Sequence, residues 1–293
     1  MVKTLDLNIP ESTNDTPDLL DEALYNIEWM KTMQDPADGG VYHKLTHRKF
    51  TDFAMPADID AGRVVVMKTT SASLNFAAVL AQTSRVHAPL GGKYADLAET
   101  WLNQAILAWD WAKANPEVYY EQPEDVNTGA YNDENVNDEF AWAAVELFVP
   151  TSEKRYLENL ELLSKKLSVP TWGNTLGLAY FTLIRNIDAV KLYDLVDVEK
   201  LTDNTVALAD EIAKIYTESG YAISIEKFAW GSNSDVLNQG TIQLMAYLLT
   251  EGDKYIEPMI SGMGYVLGRN PLHKSFVTGF GYNRAMNVHP SVA

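Results

Sequence analysis

Nine segments of this chain carry apolar residues at three- and four-residue spacing, and no stretch alternates well enough to build a large sheet. That pattern confines a 293-residue chain to helix packed on helix. The segment at 16–33 carries the fullest set of signals. Thr16 is placed as N-cap and Pro17 at the first helical position, with Asp18, Asp21 and Glu22 facing the positive end of the helix dipole. Leu19, Leu20, Ala23, Leu24, Ile27 and Met30 then keep the 3.6 period. A helix over 69–87 packs Leu74, Ala77, Ala78 and Ala81 inward. Another, from Tyr94 to Ala114, aligns Leu97, Trp101, Ala105, Ala108 and Trp109, and tryptophans at that spacing read as core. One more follows Phe140 through Trp142, Val145 and Phe148, and the remainder fall at 152–167, 171–187, 204–218, 236–249 and 253–267.

Charge narrows the ligands. A net charge of −17 and a pI near 4.6 exclude a nucleic-acid binder, which needs a basic surface. Seven Trp and fifteen Tyr on an acidic protein suit an uncharged, stackable ligand such as a sugar polymer, although solubility alone explains the charge equally well. Zero cysteines exclude disulfides and Cys-ligated zinc. No apolar run approaches membrane-spanning length, and the opening residues are too short and polar for a signal peptide. The chain is then either cytoplasmic or preceded by a leader outside these residues.

Several stretches escape the helical period. Asp38-Gly39-Gly40 breaks a helix before Val41-Tyr42-His43-Lys44, where His43 by itself reads as a hydrogen-bonded loop histidine. Residues 119–138 are polar and acidic, and Asp138 and Glu139 at a helix start act as caps and dipole partners. Trp172 opens the helix at 171–187, and core packing is an equal reading for it. Ser234 and Asp235 make a normal helix N-terminus, which leaves Trp230-Gly231 unexplained. Beyond Gly268, Phe276, Phe280 and Tyr282 interleave with Gly279 and Gly281, as in a functional loop rather than a connecting one.

Leu267-Gly-Arg-Asn-Pro271 followed by Ser275-Phe-Val-Thr-Gly-Phe-Gly281 resembles the C-terminal signature of family 9 glycoside hydrolases, mostly endo-β-1,4-glucanases. The run Ile9-Pro-Glu-Ser12, the helix after it, Gly39-Gly-Val-Tyr-His-Lys44, Phe53-Ala-Met-Pro56 and Trp230-Gly-Ser-Asn233 resemble further family segments in order. The resemblance implies an all-α (α/α)6 barrel formed by a single domain over residues 1–293. With about nine helices against twelve, the barrel is expected to be incomplete. His289 falls on the family's signature histidine, but Pro290-Ser291 stands where an arginine follows. His43, Tyr131, Trp172 and Trp230 match positions that line the sugar cleft. Asp138 and Glu139 match ligands of a structural calcium in some members, with Asn174 where a further ligand is an aspartate.

Family 9 enzymes invert, using a carboxylate base from Asp-Ala-Gly-Asp and a glutamic acid from Asn-Glu. Neither motif occurs in these 293 residues, and Asp60-Ala61-Gly62-Arg63 is a coincidence out of order. The expectation is a cellulase relative truncated at both ends, with little activity, whose full-length parent is secreted or periplasmic. A β-1,4-glucan or cello-oligosaccharide is the implied partner, and exposed helix faces would favour a homodimer. A non-catalytic glucan-binding protein and a different enzyme on an α/α barrel are the alternatives.

Overall fold

Two glycines fix how the chain enters its first layer. In the computed structural model, which describes all residues except 1–6, 8–11, 13, 15, 52–54, 56–58, 60–61, 159–161 and 287–293, Gly39 has φ +83°. A Cβ on Gly39 would lie 2.9 Å from the Leu107 side chain, and one on Gly40 would lie 2.6 Å from the Trp111 ring. Only glycine allows residues 39–40 to rest this flat on the helix that carries Leu107 and Trp111. Lys68 holds the turn from the other side, with Nζ 2.7 Å from Asp35 and 2.8 Å from Asp38. Its hydrogen bond draws the Asp35 pKa down to about 2. Trp111 Nε1 also donates to Asp38, at 3.2 Å.

One compact unit runs to Tyr156 and a second begins at Leu157. The first contains α1 (Asp18–Lys31), β1 (Leu45–His47), β2 (Arg63–Val65), α2 (Thr70–His87), α3 (Lys93–Ala114) and α4 (Asn137–Thr151). The strands form an antiparallel ribbon with Leu45 opposite Val65 and His47 opposite Arg63. Helix α2 is central. Leu74, Phe76, Ala77, Ala78, Leu80 and Ala81 are all buried, and their small members let α3 and α4 approach closely. Trp101 and Trp109 of α3 are buried, the latter edge-on to Phe140 and Tyr156.

The second unit contains α5 (Leu176–Arg185), α6 (Ile187–Lys191), α7 (Val198–Glu218), α8 (Ser232–Thr250) and α9 (Ile256–Val266). Asp197 caps α7 by accepting from the Lys200 N–H at 3.0 Å. Buried Gln243 of α8 donates to the Ala209 carbonyl of α7 at 2.9 Å, and Asn204 of α7 donates to the Tyr180 hydroxyl of α5 at 3.0 Å. Nine α-helices and one two-stranded ribbon among the described residues make the chain all-α.

The boundaries depart from the periodic reading in several places, and α7 begins at Val198, six residues before the expected 204. Thr16 does not cap α1: its hydroxyl meets the Tyr94 hydroxyl at 2.6 Å, and Pro17 occupies the N-cap position with no side-chain bond. No α-helix is found among the described residues of 152–167, where a 3-10 turn at Lys154–Tyr156 takes its place. Ser152 adopts φ +57° and ends α4, and the buried leucines beyond it, 157, 162 and 167, stand five apart and make no helical stripe. The segment at 171–187 begins its helix only at Leu176 and divides at Asn186, so α6 supplies the ninth helix. Helix α8 starts at Ser232, three residues before the expected Asp235.

Glu146 of α4 is fully buried and is held by Arg85 of α2 at 2.7 Å, with Gln82 Nε2 donating to its other oxygen at 3.3 Å. Removing the cation alone strands a buried carboxylate. Arg85→Met should therefore destabilise the fold by about 3 kcal/mol, and adding Glu146→Leu should restore most of the loss. Urea midpoints of the three proteins check this, and equal midpoints for single and double variants would contradict it.

Candidate functional site

The first unit assembles a polar and aromatic wall from residues 42–46 and 120–131. His43 follows the Gly-Gly turn, and its backbone N–H donates to the Met67 carbonyl at 2.9 Å. Its ring is stacked on Tyr120, with centroids 4.2 Å apart and planes 7° apart. Nε2 lies 3.2 Å from the Ala130 carbonyl and Nδ1 lies 3.0 Å from the Thr69 hydroxyl. A carbonyl only accepts, so Nε2 carries the proton and Nδ1 accepts from Thr69. The same Thr69 oxygen accepts from the Ala72 N–H at 3.2 Å as the N-cap of α2. Burial pushes the His43 pKa down, the Ala130 bond opposes this, and the Lys44 charge lowers it further. His43 is thus the hydrogen-bonded loop histidine that its place after the Gly-Gly turn predicts, and it is also part of a half-buried wall.

Tyr131 stands at φ +55°, a conformation that a side chain other than glycine rarely adopts, with 57% of its surface exposed. Gly129 makes room for it, since a Cβ there would lie 2.8 Å from the Tyr131 ring. Lys44 Nζ donates to Gln122 Oε1 at 3.2 Å, to Thr128 Oγ1 at 3.3 Å and to the Gly129 carbonyl. Tyr120 donates to Gln122 at 2.6 Å, and Gln122 Nε2 donates to the carbonyls of Val126 and Thr128 at 2.7 and 2.8 Å. Neither Lys44 nor Tyr120 was marked by periodicity. The one available signal for Lys44 was its place beside His43.

Asp138 and Glu139 occupy the first turn of α4, and both are buried. Burial, followed by the neighbouring Asp138 charge, raises the Glu139 pKa to about 8. Glu139 Oε2 has no hydrogen-bond partner among the described residues. Two adjacent carboxylates, one with an unsatisfied oxygen, offer hard ligands of the type calcium takes. No group of three or more His, Cys, Asp or Glu suited to a metal occurs among the described residues.

In the second unit both singled-out tryptophans stand on turns tied to α8. Trp172 is not inside a helix start. It sits on the tight turn Thr171–Asn174, closed by Thr171 N–H to Asn174 O at 2.9 Å and Asn174 N–H to Thr171 O at 3.2 Å. Asn174 Oδ1 then accepts from the Leu176 N–H at 3.2 Å as α5 begins. The turn leaves Trp172 76% exposed, against the core reading. Asn238 of α8 donates to the Pro170 carbonyl at 2.8 Å and anchors that turn. Trp230 is 99% exposed and directly precedes Gly231, whose φ of +81° turns the chain into α8.

The C-terminal signature supplies anchors. Asn270 is buried and uses its whole amide: Nδ2 donates to the carbonyls of Tyr265 and Lys274 at 2.8 and 2.7 Å, while Oδ1 accepts from Leu272 and Lys274 at 3.1 and 3.3 Å. Arg269 donates to the carbonyls of Tyr221 and Ser261 at 2.8 and 2.9 Å, fastening the stretch before Trp230 onto α9. Phe276 packs on the cluster of Ile223, Ile225, Val236, Tyr265 and Val266, while Phe280 and Tyr282 remain exposed. His289, Asp60, Ala61, and Phe53, Ala54 and Pro56 of the Phe53–Pro56 motif lie outside the described residues.

Helical hairpins with exposed aromatics on their connecting turns define an all-α protein of the (α/α)6 barrel class, the architecture of its structural relatives. The model for glycosyl hydrolase family 9 matches residues 6–293, and the chain belongs to that family. It is 37% identical over 97% of its length to the xyloglucan-specific endo-β-1,4-glucanase of Bacteroides ovatus, covering 50% of that protein. It is 35% identical, again over 97% of its length, to a cellulose 1,4-β-cellobiosidase of Acetivibrio thermocellus, covering 35% of it. The solved structure of a Bacteroides ovatus family 9 protein superimposes with a TM-score of 0.85 at 34% identity, covering 99% of this chain and 57% of the other. The chain thus spans half or less of these two curated relatives. Among the described residues no helix is long and apolar enough to cross a membrane.

The anchoring of Trp172 can be checked directly. Asn238→Ala should raise amide exchange at residues 171–174 while lowering global stability by only about 1 kcal/mol. Unchanged exchange in that turn would show that Asn238 does not hold it.

Proposed function

We propose that this chain binds β-1,4-glucan chains as part of an inverting endo-β-1,4-glucanase, with His43, Tyr131, Trp172, Trp230 and His289 as its sugar contacts. The exposure of Trp172 and Trp230 on turns secured to α8 carries the reading. Large indoles left at the surface on ordered backbone add nothing to the core, and their apolar faces suit the C–H face of a pyranose ring. The acidic surface is consistent with an uncharged polymer. A xyloglucan-specific relative and a cellobiosidase relative share the β-1,4-glucan backbone as common chemistry.

Hydrolysis is a separate matter. Inversion requires a base that activates water and an acid that protonates the leaving oxygen, about 6.5–9.5 Å apart. These 293 residues hold neither an Asp-Ala-Gly-Asp nor an Asn-Glu motif. Loss of a positioned acid or base lowers rates by about 10²–10⁴-fold. The 293-residue chain tested alone should therefore bind cello-oligosaccharides with little turnover. Calorimetry with cellotetraose should detect binding that Trp230→Ala and Trp172→Ala each weaken by about tenfold. Hydrolysis of carboxymethylcellulose at the rate of intact relatives would refute the low-turnover reading, and Glu134, Asp138 and Glu139 would be the first residues to replace.

Calcium at Asp138 and Glu139 belongs to the same proposal. A divalent cation would give Glu139 Oε2 the partner it lacks and would hold both carboxylates ionised. Millimolar calcium should then raise the melting temperature relative to EDTA, and Glu139→Gln should remove the difference. Identical melting with and without calcium would exclude the site.

A further inference from the structure

Lys44 spends its whole ammonium on neutral groups of a single loop. Among the described residues no carboxylate pairs with it, although the chain carries 40 Asp and Glu. It is half-buried, and that burial pushes its pKa down. All three ammonium donors go to neutral oxygens on one loop: the Gln122 amide, the Thr128 hydroxyl and the Gly129 carbonyl. The same ammonium lies 5.1 Å from the centre of the Tyr120 ring and 5.9 Å from that of Tyr131.

The loop it holds explains the arrangement. We propose that Lys44 is the positioning residue of the sugar-facing wall, its ammonium fastening residues 122–129 beside β1 so that Tyr131 stands next to His43. Three links carry this. The Gly129 carbonyl that Lys44 binds belongs to the residue directly under the Tyr131 ring. The Ala130 carbonyl, one residue on, takes the His43 Nε2 proton. Tyr131 itself holds φ +55°, a strained conformation that persists only where its surroundings restrain it. A guanidinium is larger and spreads its donors over separate nitrogens in one plane, so arginine does not reproduce three bonds from a single tetrahedral nitrogen. This extends the reading of His43 and Tyr131 as sugar contacts and rests on it, but the positioning itself is testable without sugar.

The experiment uses the 293-residue chain with Lys44→Met and Lys44→Arg, compared by melting, by long-range proton–nitrogen NMR of the His43 ring, by amide exchange in 122–131, and by cellotetraose calorimetry. His43 faces the Lys44 ammonium and the Tyr120 ring, and its nitrogens meet Thr69 and Ala130. Expected for Lys44→Met are faster exchange across 122–131, an upward shift of the His43 titration midpoint as a neighbouring cation is lost, and about tenfold weaker cellotetraose binding; arginine returns the charge and with it the His43 midpoint, but neither the loop exchange nor the affinity. Wild-type loop exchange, His43 signals and affinity in Lys44→Met would overturn the proposal. If the unsubstituted chain binds no cellotetraose while the loop and His43 still respond, positioning stands and the sugar assignment fails. Should Lys44→Met not fold, Thr128→Val takes one of the three oxygens from the ammonium, with the Thr46 hydroxyl as the only other group among the described residues to lose a partner, and wild-type loop exchange and affinity in it would overturn the proposal.

Discussion

The wall in the first unit depends on how closely residues 39–40 lie against α3. With a Cβ at position 40 the backbone would have to rise off the Trp111 ring, and the segment that follows would move with it. That segment carries His43 and Lys44 and then becomes β1. The Lys68 pairing with Asp35 and Asp38 clamps the same turn from its exposed side. A steric requirement three residues before the histidine therefore sets its height, and the histidine in turn meets the 120–131 loop through Tyr120 and Ala130. The chain of dependence runs from absent side chains to a fixed tautomer.

Helix α4 presents two buried glutamates with opposite fates. Glu146 has a guanidinium and an amide on its oxygens and serves as a structural tie to α2. Glu139, two turns earlier, is equally enclosed but leaves one oxygen without a partner among the described residues, and burial pushes its pKa up to about 8. Burial alone cannot distinguish a tie from a ligand site. The distinction lies in whether the surrounding protein supplies the counter-charge.

The helices were legible where stripes were long: Trp101, Ala105, Ala108 and Trp109 mark the buried face of α3 as the period requires. Legibility failed where burial was not periodic. The leucines at 157, 162 and 167 reach the core from turns and irregular backbone, a geometry that hydropathy cannot separate from a short helix. Thr16 failed as a cap because a residue 78 positions away claims its hydroxyl. Of the candidate site, His43, Tyr131, Trp172 and Trp230 were marked through family resemblance rather than through physics. Tyr120 and Asn238 escaped notice because their partners are distant in sequence, and Lys44 entered only as the last residue of the Gly39–Lys44 segment.

The hub at Asn270 has a consequence for how the molecule ages. Asparagine commonly degrades when the next backbone nitrogen attacks its side-chain amide and closes a succinimide ring. Here the next residue is Pro271, whose nitrogen bears no hydrogen, so that route is closed. The four hydrogen bonds that organise the stretch after α9 thus rest on an amide shielded from the usual chemical wear by its neighbour's covalent structure.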